Sequence, residues 1–334
     1  MNKKDFSYYI TKFFGDYLPN HKGASFNTIS LYRDCFVLFI QFCEQTKKIT
    51  TDALSFDKIN RKLILEFLSW LETSRKSSIQ TRNQRLAAWK SFCKFVQFEA
   101  PEFFDICVSI RNIETKKCAK TSINYLSVEA IKLLLQQPNP NKKEDLRDLA
   151  ILSLLYDSGA RVQELLDLQV CNLVLDNKPK VFLTGKGNKT RIVPINREVS
   201  NILKNYIFIF KLQNADNIFT NKKGEKLTKM GITYILNKYI KKASILKPEY
   251  FKIKFSPHCL RHSKAMHLLE NNVNLIYIRD FLGHVSVSTT EIYAKANPEI
   301  RRKQIEKSSK CIVKESKFSK NDKDDLMKFL RECL

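Results

Sequence analysis

Residues 181–195 read VFLTGKGNKTRIVPI, and within them the hydrophobic pattern changes period. The runs VFLTG and RIVPI are short and β-type, and between them lies Lys186-Gly187-Asn188-Lys189. That arrangement predicts a β-hairpin with a glycine-bearing turn. Gly185 and Gly187 flank Lys186 and let the backbone turn tightly enough to give a narrow basic tip. A phosphate-cradling P-loop is excluded, because Gly187 rather than Ser or Thr follows the lysine. The bland alternative is a basic hairpin that only solvates itself.

On both sides of this segment the chain reads as helices. Ile29, Tyr32, Phe36, Phe39 and Cys43 recur at helical spacing, RKLILEFLSWL (61–71) forms a second segment, and Ser78 opens a third that runs through Val96. With an opening helix near residues 4–18, these make a compact domain of four or five helices over residues 1–111. Asn112–Ser122 is polar, basic and aperiodic, and reads as a linker. Beyond it, Ser127 caps a helix to about Gln137, and another spans about Glu144–Asp157, with Gly159 placed to end it. After the hairpin, helices are expected at 197–212, 229–242, 257–270 and 275–282. The fold class is therefore mainly α with a small β-hairpin or sheet, an α+β second domain covering 123–300. The tail, 301–334, is charged and ends in a short amphipathic stretch at Leu326, Phe329 and Leu330.

The 334 residues carry 58 Lys and Arg against 34 Asp and Glu, a net charge of +24. Residues 1–118 hold 19 basic against 12 acidic side chains, and the remainder 39 against 22, so both parts are basic. An acidic polymer could run across both; a basic solvated surface or an anionic membrane surface is the alternative. No run approaches the roughly 18 apolar residues of a membrane span. MNKKDFSYYI at the N-terminus lacks the apolar core of a secretory signal, so a cytoplasmic location is expected. Nine cysteines without C-x-x-C pairing read as reduced, mostly buried thiols.

Six residues stand out by their settings: Arg161 in GARVQELLDL, Lys186 at the hairpin tip, His258 and Arg261 in HCLRH, His284 in LGH, and Tyr293 in TTEIY. Singly, each has an ordinary explanation. Arg161 pairs naturally with Glu164 three residues on, in a surface contact of a few tenths of a kcal/mol. His284 suits a helix end, and Tyr293 is one of 12 tyrosines. Ser256-Pro257 predicts a helix start, which places His258 and Arg261 on one face at its positive end, where a phosphate oxygen is favoured. His258 and His262 are four apart, but the H-E-x-x-H zinc pattern is missing, so no metal site is expected. His262 and His267 read as packing or surface residues. In the first domain Arg82, Asn83, Arg85 and Lys90 share one predicted helix and are candidates for touching DNA, as is Lys189 in the hairpin; a solvated face is the alternative.

Taken together and in this order, the phrases closely resemble the tyrosine recombinase family, also called the phage-integrase or Xer-type family. The family's Arg–Lys–His-x-x-Arg–His/Trp–Tyr set falls on Arg161, Lys186, His258, Arg261, His284 and Tyr293, with Glu164 as its supporting acid. Ala160 departs slightly from the family's larger residue. The resemblance implies a helical SAM-like core-binding domain followed by a catalytic domain. It also implies cutting and rejoining of DNA through a 3′-phosphotyrosine, with Tyr293 as nucleophile and no metal, ATP or other cofactor. Partners implied are double-stranded recombination sites, a homo-tetramer or a hetero-tetramer with a paralogue, joined through a Holliday junction, and an accessory directionality factor. The tail would dock on a neighbouring protomer. A type IB topoisomerase and a non-catalytic DNA-binding regulator are the rival readings.

Overall fold

The computed structural model describes residues 6–118, 123–185, 187–284, 286–296 and 320–332. Lys186 therefore lies outside the described residues, as do 119–122 of the expected linker and 301–319 of the expected tail. The chain divides into two compact units, Met1–Thr121 and Ser122–Leu334.

The first unit is helical throughout. Helix α1 (Phe6–Lys12) runs into a π-helical stretch, Phe13–His21, and is followed by α2 (Phe26–Lys47), α3 (Arg61–Thr73), α4 (Ile79–Glu99) and α5 (Phe104–Arg111). Three of these starts are set locally: Ser25, Asn60 and Ser78 accept from Thr28, Leu63 and Thr81 backbone N–H groups. The expected apolar stripe of α2 buries Phe36, Phe39 and Cys43 against Trp89 and Phe92 of α4. The Phe39 and Trp89 ring centroids are 4.6 Å apart at 73°, an edge-on packing that adds to simple burial. Part of the segment expected to be a free linker belongs to this unit: Ile113 is buried in its core, and the Lys116 backbone N–H donates to Asn83 Oδ1 at 3.1 Å.

The second unit begins with α6 (Val128–Leu135), capped by Ser127, and α7 (Lys143–Ser158). Helix α7 carries Leu146, Ala150, Ile151, Leu154 and Leu155 into the core. Gly159 ends it in the left-handed conformation, φ 57°, as its place in the sequence predicts. After α8 (Val162–Leu166) come three antiparallel strands in the order β1 (Leu173–Val174), β2 (Lys180–Thr184) and β3 (Thr190–Pro194). Strands β2 and β3 form the expected hairpin, with Val181 opposite Val193 and Leu183 opposite Arg191; β1 adds a short edge. The alternation buries Val181, Leu183 and Val193 and turns Ile192 outward. Helices α9 (Arg197–Phe210), α10 (Lys229–Leu246), α11 (Pro257–Glu270), α12 (Leu275–Leu282) and α13 (Ser288–Ala296) complete the described body. A last helix, α14 (Lys320–Glu332), leaves Leu326, Phe329 and Leu330 exposed. Among the described residues no helix is long and apolar enough to cross a membrane.

Candidate active site

The site grows from two helix ends. The last carbonyls of a helix have no partner within it and carry the negative end of its dipole. At the end of α7 the Gly159 carbonyl accepts from Arg261 Nη1 at 2.7 Å, and at the end of α12 the Leu282 carbonyl accepts from Arg261 Nη2 at 2.6 Å. The neighbouring Gly283 carbonyl accepts from Arg161 Nη2 at 3.1 Å. Two guanidiniums are thus drawn together by helix C-termini. Arg261 is only 1% exposed, and burial, with Arg161 next, lowers its pKa to about 10, so it remains charged at neutral pH.

The repulsion between these cations is balanced from below by Glu164. Its buried carboxylate accepts from Arg161 Nη1 at 2.7 Å and from the Arg161 backbone N–H at 2.8 Å. It also accepts from both terminal nitrogens of Arg191 on β3, at 2.9 and 2.8 Å. Burial alone would raise its pKa, but the Arg191 and Arg161 bonds outweigh it and hold the carboxyl down to about 2. Arg191 Nε in turn donates to the Phe281 carbonyl at 2.9 Å.

Three histidines face the same place. His258, in the first turn of α11, stands exposed at the rim; the protein crowding its ring, then Arg261 and Arg161, lower its pKa. His284 Nδ1 lies 3.0 Å from the Thr290 hydroxyl, and burial followed by Arg261, Arg161 and Arg191 brings its pKa down to about 4. His262 Nδ1 lies 2.9 Å from the Tyr293 hydroxyl, and its pKa falls to about 4 through burial, His258 and Arg261. His262 and His284 are therefore neutral imidazoles at pH 7, and the shift at His258 runs in the same direction.

Tyr293 is 1% exposed and packs with Ala265, Met266, Leu269, Ile278 and Leu282. Burial raises its pKa, while Arg261 and Arg161 pull the other way. Its ring lies parallel to that of His284 with centroids 6.5 Å apart.

Of the six residues singled out in the sequence, the structure brings five into one constellation: Arg161, His258, Arg261, His284 and Tyr293. Lys186 lies outside the described residues. Glu164 supports the two arginines Arg161 and Arg191. The sequence reading overlooked Arg191, whose partner is 27 residues away, and Thr290, three residues before Tyr293. It also set His262 aside as packing or surface, yet that imidazole holds the tyrosine hydroxyl. A signal was available: residues 258, 261 and 262 share one arc of a helix. Among the described residues no group of three or more His, Cys, Asp or Glu converges as a metal site.

The residues proposed for DNA contact in the first unit are differently placed. Arg82 is buried, with Nη1 bonded to Asn83 Oδ1 at 3.0 Å, and Asn83 Nδ2 donates to the Lys116 carbonyl at 2.8 Å. Arg85 Nη1 donates to the Leu31 carbonyl at 2.6 Å. Lys90 is half-buried and Lys189 exposed.

A mainly helical unit bearing a small hairpin, with two carbonyl-held arginines, neutral histidines and a tyrosine, defines a phosphodiester-handling enzyme of the recombinase type. The phage integrase family pattern matches residues 124–299, and the N-terminal SAM-like domain of phage integrases matches residues 11–99. The chain belongs to the phage integrase family, the site-specific tyrosine recombinases. It is 32% identical over 321 residues to the putative integrase/recombinase y4rC of Sinorhizobium fredii, covering 96% of each chain. With tyrosine recombinase XerD of Oceanobacillus iheyensis it shares 35% over 292 residues, 86% of this chain and 93% of the relative. In fold it is similar to the XerH site-specific recombinase solved on palindromic difH substrate in a post-cleavage complex. There the TM-score is 0.66 at 22% identity, over 86% of this chain and 81% of the other.

Proposed function

We propose that this recombinase cuts and rejoins DNA with Tyr293 as nucleophile, through a 3′-phosphotyrosine and a free 5′-hydroxyl. The observation that carries the reading is the joint capture of Arg161 and Arg261 by helix C-terminal carbonyls beside Tyr293. A guanidinium has five N–H donors. Arg261 spends one on Gly159 and one on Leu282, leaving three for the non-bridging oxygens of a phosphodiester. Such preorganised donors act on charge that develops in the transition state, and each is worth roughly 100–1000-fold in rate.

The histidines contribute as neutral donors. If Thr290 Oγ1–H donates to His284 Nδ1, the imidazole proton resides on Nε2, free to donate to a phosphate oxygen. His258 has the same role from the rim of the site. Lys186 protonates the departing 5′-oxygen. Retention of the bond energy in the phosphotyrosine lets religation proceed without ATP, and the chemistry needs no metal or other cofactor.

The division of labour along the chain follows: residues 1–111 as core-binding DNA-binding domain, 112–122 as linker, 123–300 as catalytic domain and 301–334 as tail. Lys90 and Lys189 are the proposed phosphate contacts, with Arg82, Asn83 and Arg85 supporting the helix of Lys90 through their bonds inside the first unit. Strand exchange proceeds on a tetramer of this chain, or of this chain with a paralogue, across two double-stranded sites through a Holliday junction. The exposed apolar residues of α14 serve docking on a neighbouring protomer. An accessory factor sets direction between integration, excision and resolution. A cytoplasmic location fits this role.

The test is covalent trapping from a random duplex pool containing nicked suicide substrates, resolved on SDS gels. Wild type is expected to form an adduct; Tyr293→Phe binds the same DNA and forms none. An adduct that survives in Tyr293→Phe overturns the assignment, and site-independent plasmid relaxation by wild type would favour the topoisomerase reading.

A further inference from the structure

Among the described residues, the hydrogen-bond partner of the Tyr293 hydroxyl is His262, with Nδ1 and Oη 2.9 Å apart. Both groups are largely shielded, and the rings pack at 5.6 Å between centroids. A phenol that attacks phosphorus must lose its proton, and the residues assigned so far bind oxygens or serve the leaving group. Among the described residues none of these is hydrogen-bonded to the Tyr293 hydroxyl, whereas His262 is.

We infer that His262 is the proton acceptor for the nucleophile: Nδ1 takes the phenolic proton as Tyr293 Oη bonds to phosphorus. This rests on Tyr293 being the nucleophile. In the forward step the Oη–P bond forms, the P–O5′ bond breaks, the Oη proton moves to Nδ1, and O5′ takes its proton from the general acid assigned to Lys186. Nε2 of His262 keeps its own proton throughout. In religation Nδ1 returns the proton to Oη while the incoming 5′-hydroxyl gives its proton back to that acid.

The surroundings of His262 suit this timing. His258 lies edge-on on the same helix, ring centroids 4.6 Å apart, Arg261 precedes it, and Tyr293 faces it from α13. Before DNA arrives, burial and the neighbouring Arg261 charge keep the imidazole neutral and therefore able to accept. A bound phosphate brings negative charge next to Arg261 and His258, which eases protonation of His262 at the moment the oxygen loses its basicity to phosphorus. A positioning role alone would need only an acceptor at Nδ1, not a base. That difference separates the two roles experimentally.

The experiment uses the full chain and the duplex captured by wild type, in single-turnover adduct formation from pH 4.5 to 9. Three proteins are compared: wild type, His262→Ala and His262→Asn, whose Oδ1 can accept the phenol hydrogen bond but cannot take its proton. Expected are unchanged DNA affinity, about a 100-fold rate loss in both variants at pH 7, and loss of the wild-type limb in which rate rises with pH. A 5′-bridging phosphorothiolate, whose sulfur leaves without protonation, should leave the defect in place. Wild-type rate and pH profile in His262→Asn would reduce His262 to a positioning residue, and rescue by the phosphorothiolate would move it to the leaving-group side; either overturns the inference. Thermal melting of both variants and their DNA affinity identify a folding defect, and the Asn variant then decides. Failure of wild type to form any adduct would instead sink the nucleophile assignment.

Discussion

Glu164 and Arg191 meet across the second unit as a two-pronged ion pair, Oε1 and Oε2 each accepting one guanidinium nitrogen at 2.9 and 2.8 Å. The carboxylate is almost wholly enclosed, so it depends on its partners for the hydration it has lost. Arg191→Ala is expected to cost about 3 kcal/mol of unfolding free energy, the low end for breaking a buried pair, because Arg161 still pairs with the acid. Urea unfolding at pH 7 measures it; a loss below about 1 kcal/mol would show the pair to be dispensable.

The same pair sets an acid dependence. The Glu164 pKa falls from an ordinary 4.5 to about 2 on folding, so below pH 4.5 the unfolded chain binds more protons than the folded one. The stability it contributes, about 3 kcal/mol, is present above pH 4.5 and is lost as pH falls towards 2. Glu164→Gln should flatten that part of the stability curve relative to wild type, as followed by chemical unfolding between pH 6 and 2.5.

Gly283 joins α12 to His284 at φ 64°, and a Cβ there would lie 2.9 Å from Cδ and Nη1 of Arg191. Gly283→Ala carries the left-handed penalty of about 1–2 kcal/mol and also displaces Arg191 from Glu164. A lower melting temperature and slower adduct formation are expected together. Retained activity in a destabilised variant would separate the backbone strain from the site.

Arg261→Lys keeps the charge and loses the fork, so one ammonium cannot hold the Gly159 and Leu282 carbonyls and still bind a phosphate. Adduct formation should fall by about 100–1000-fold. A rate within tenfold of wild type would mean that charge, not geometry, is what the site requires.

Thr290→Val removes the hydroxyl at His284 Nδ1 while keeping the shape of a fully buried side chain. Losing that bond, worth about 1–1.5 kcal/mol, should slow adduct formation about tenfold. A matched His284→Ala, Thr290→Val double variant should lose no more than His284→Ala alone; additive losses would place Thr290 outside the His284 function.

Lys90→Ala and Lys189→Ala address the DNA face. If each side chain neutralises one phosphate, each should weaken binding uniformly across sequences and reduce the salt slope of log K by about 1. An unchanged slope for either would remove that lysine from the interface.

Much of the local structure was legible from residue order. The caps at Ser78 and Ser127, the stop at Gly159 and the alternation of the 181–195 hairpin are satisfied within a few residues, so neighbours alone specify them. The grouping of Arg161, His258, Arg261, His284 and Tyr293 was legible too, through the phrase surrounding each. Which partner each one takes was not. Arg261 reaches a carbonyl 102 residues away, Arg191 finds Glu164 across the unit, and Tyr293 meets His262 31 residues upstream. Arg82 shows the same limit: its helical position was clear, but its burial depends on how α4 packs within the first unit. Periodicity, caps and turn chemistry act over one or two turns, and the chain by itself determined them. Hydrogen-bond partners and desolvation depend on which surfaces packing brings together, and only the tertiary structure decided those.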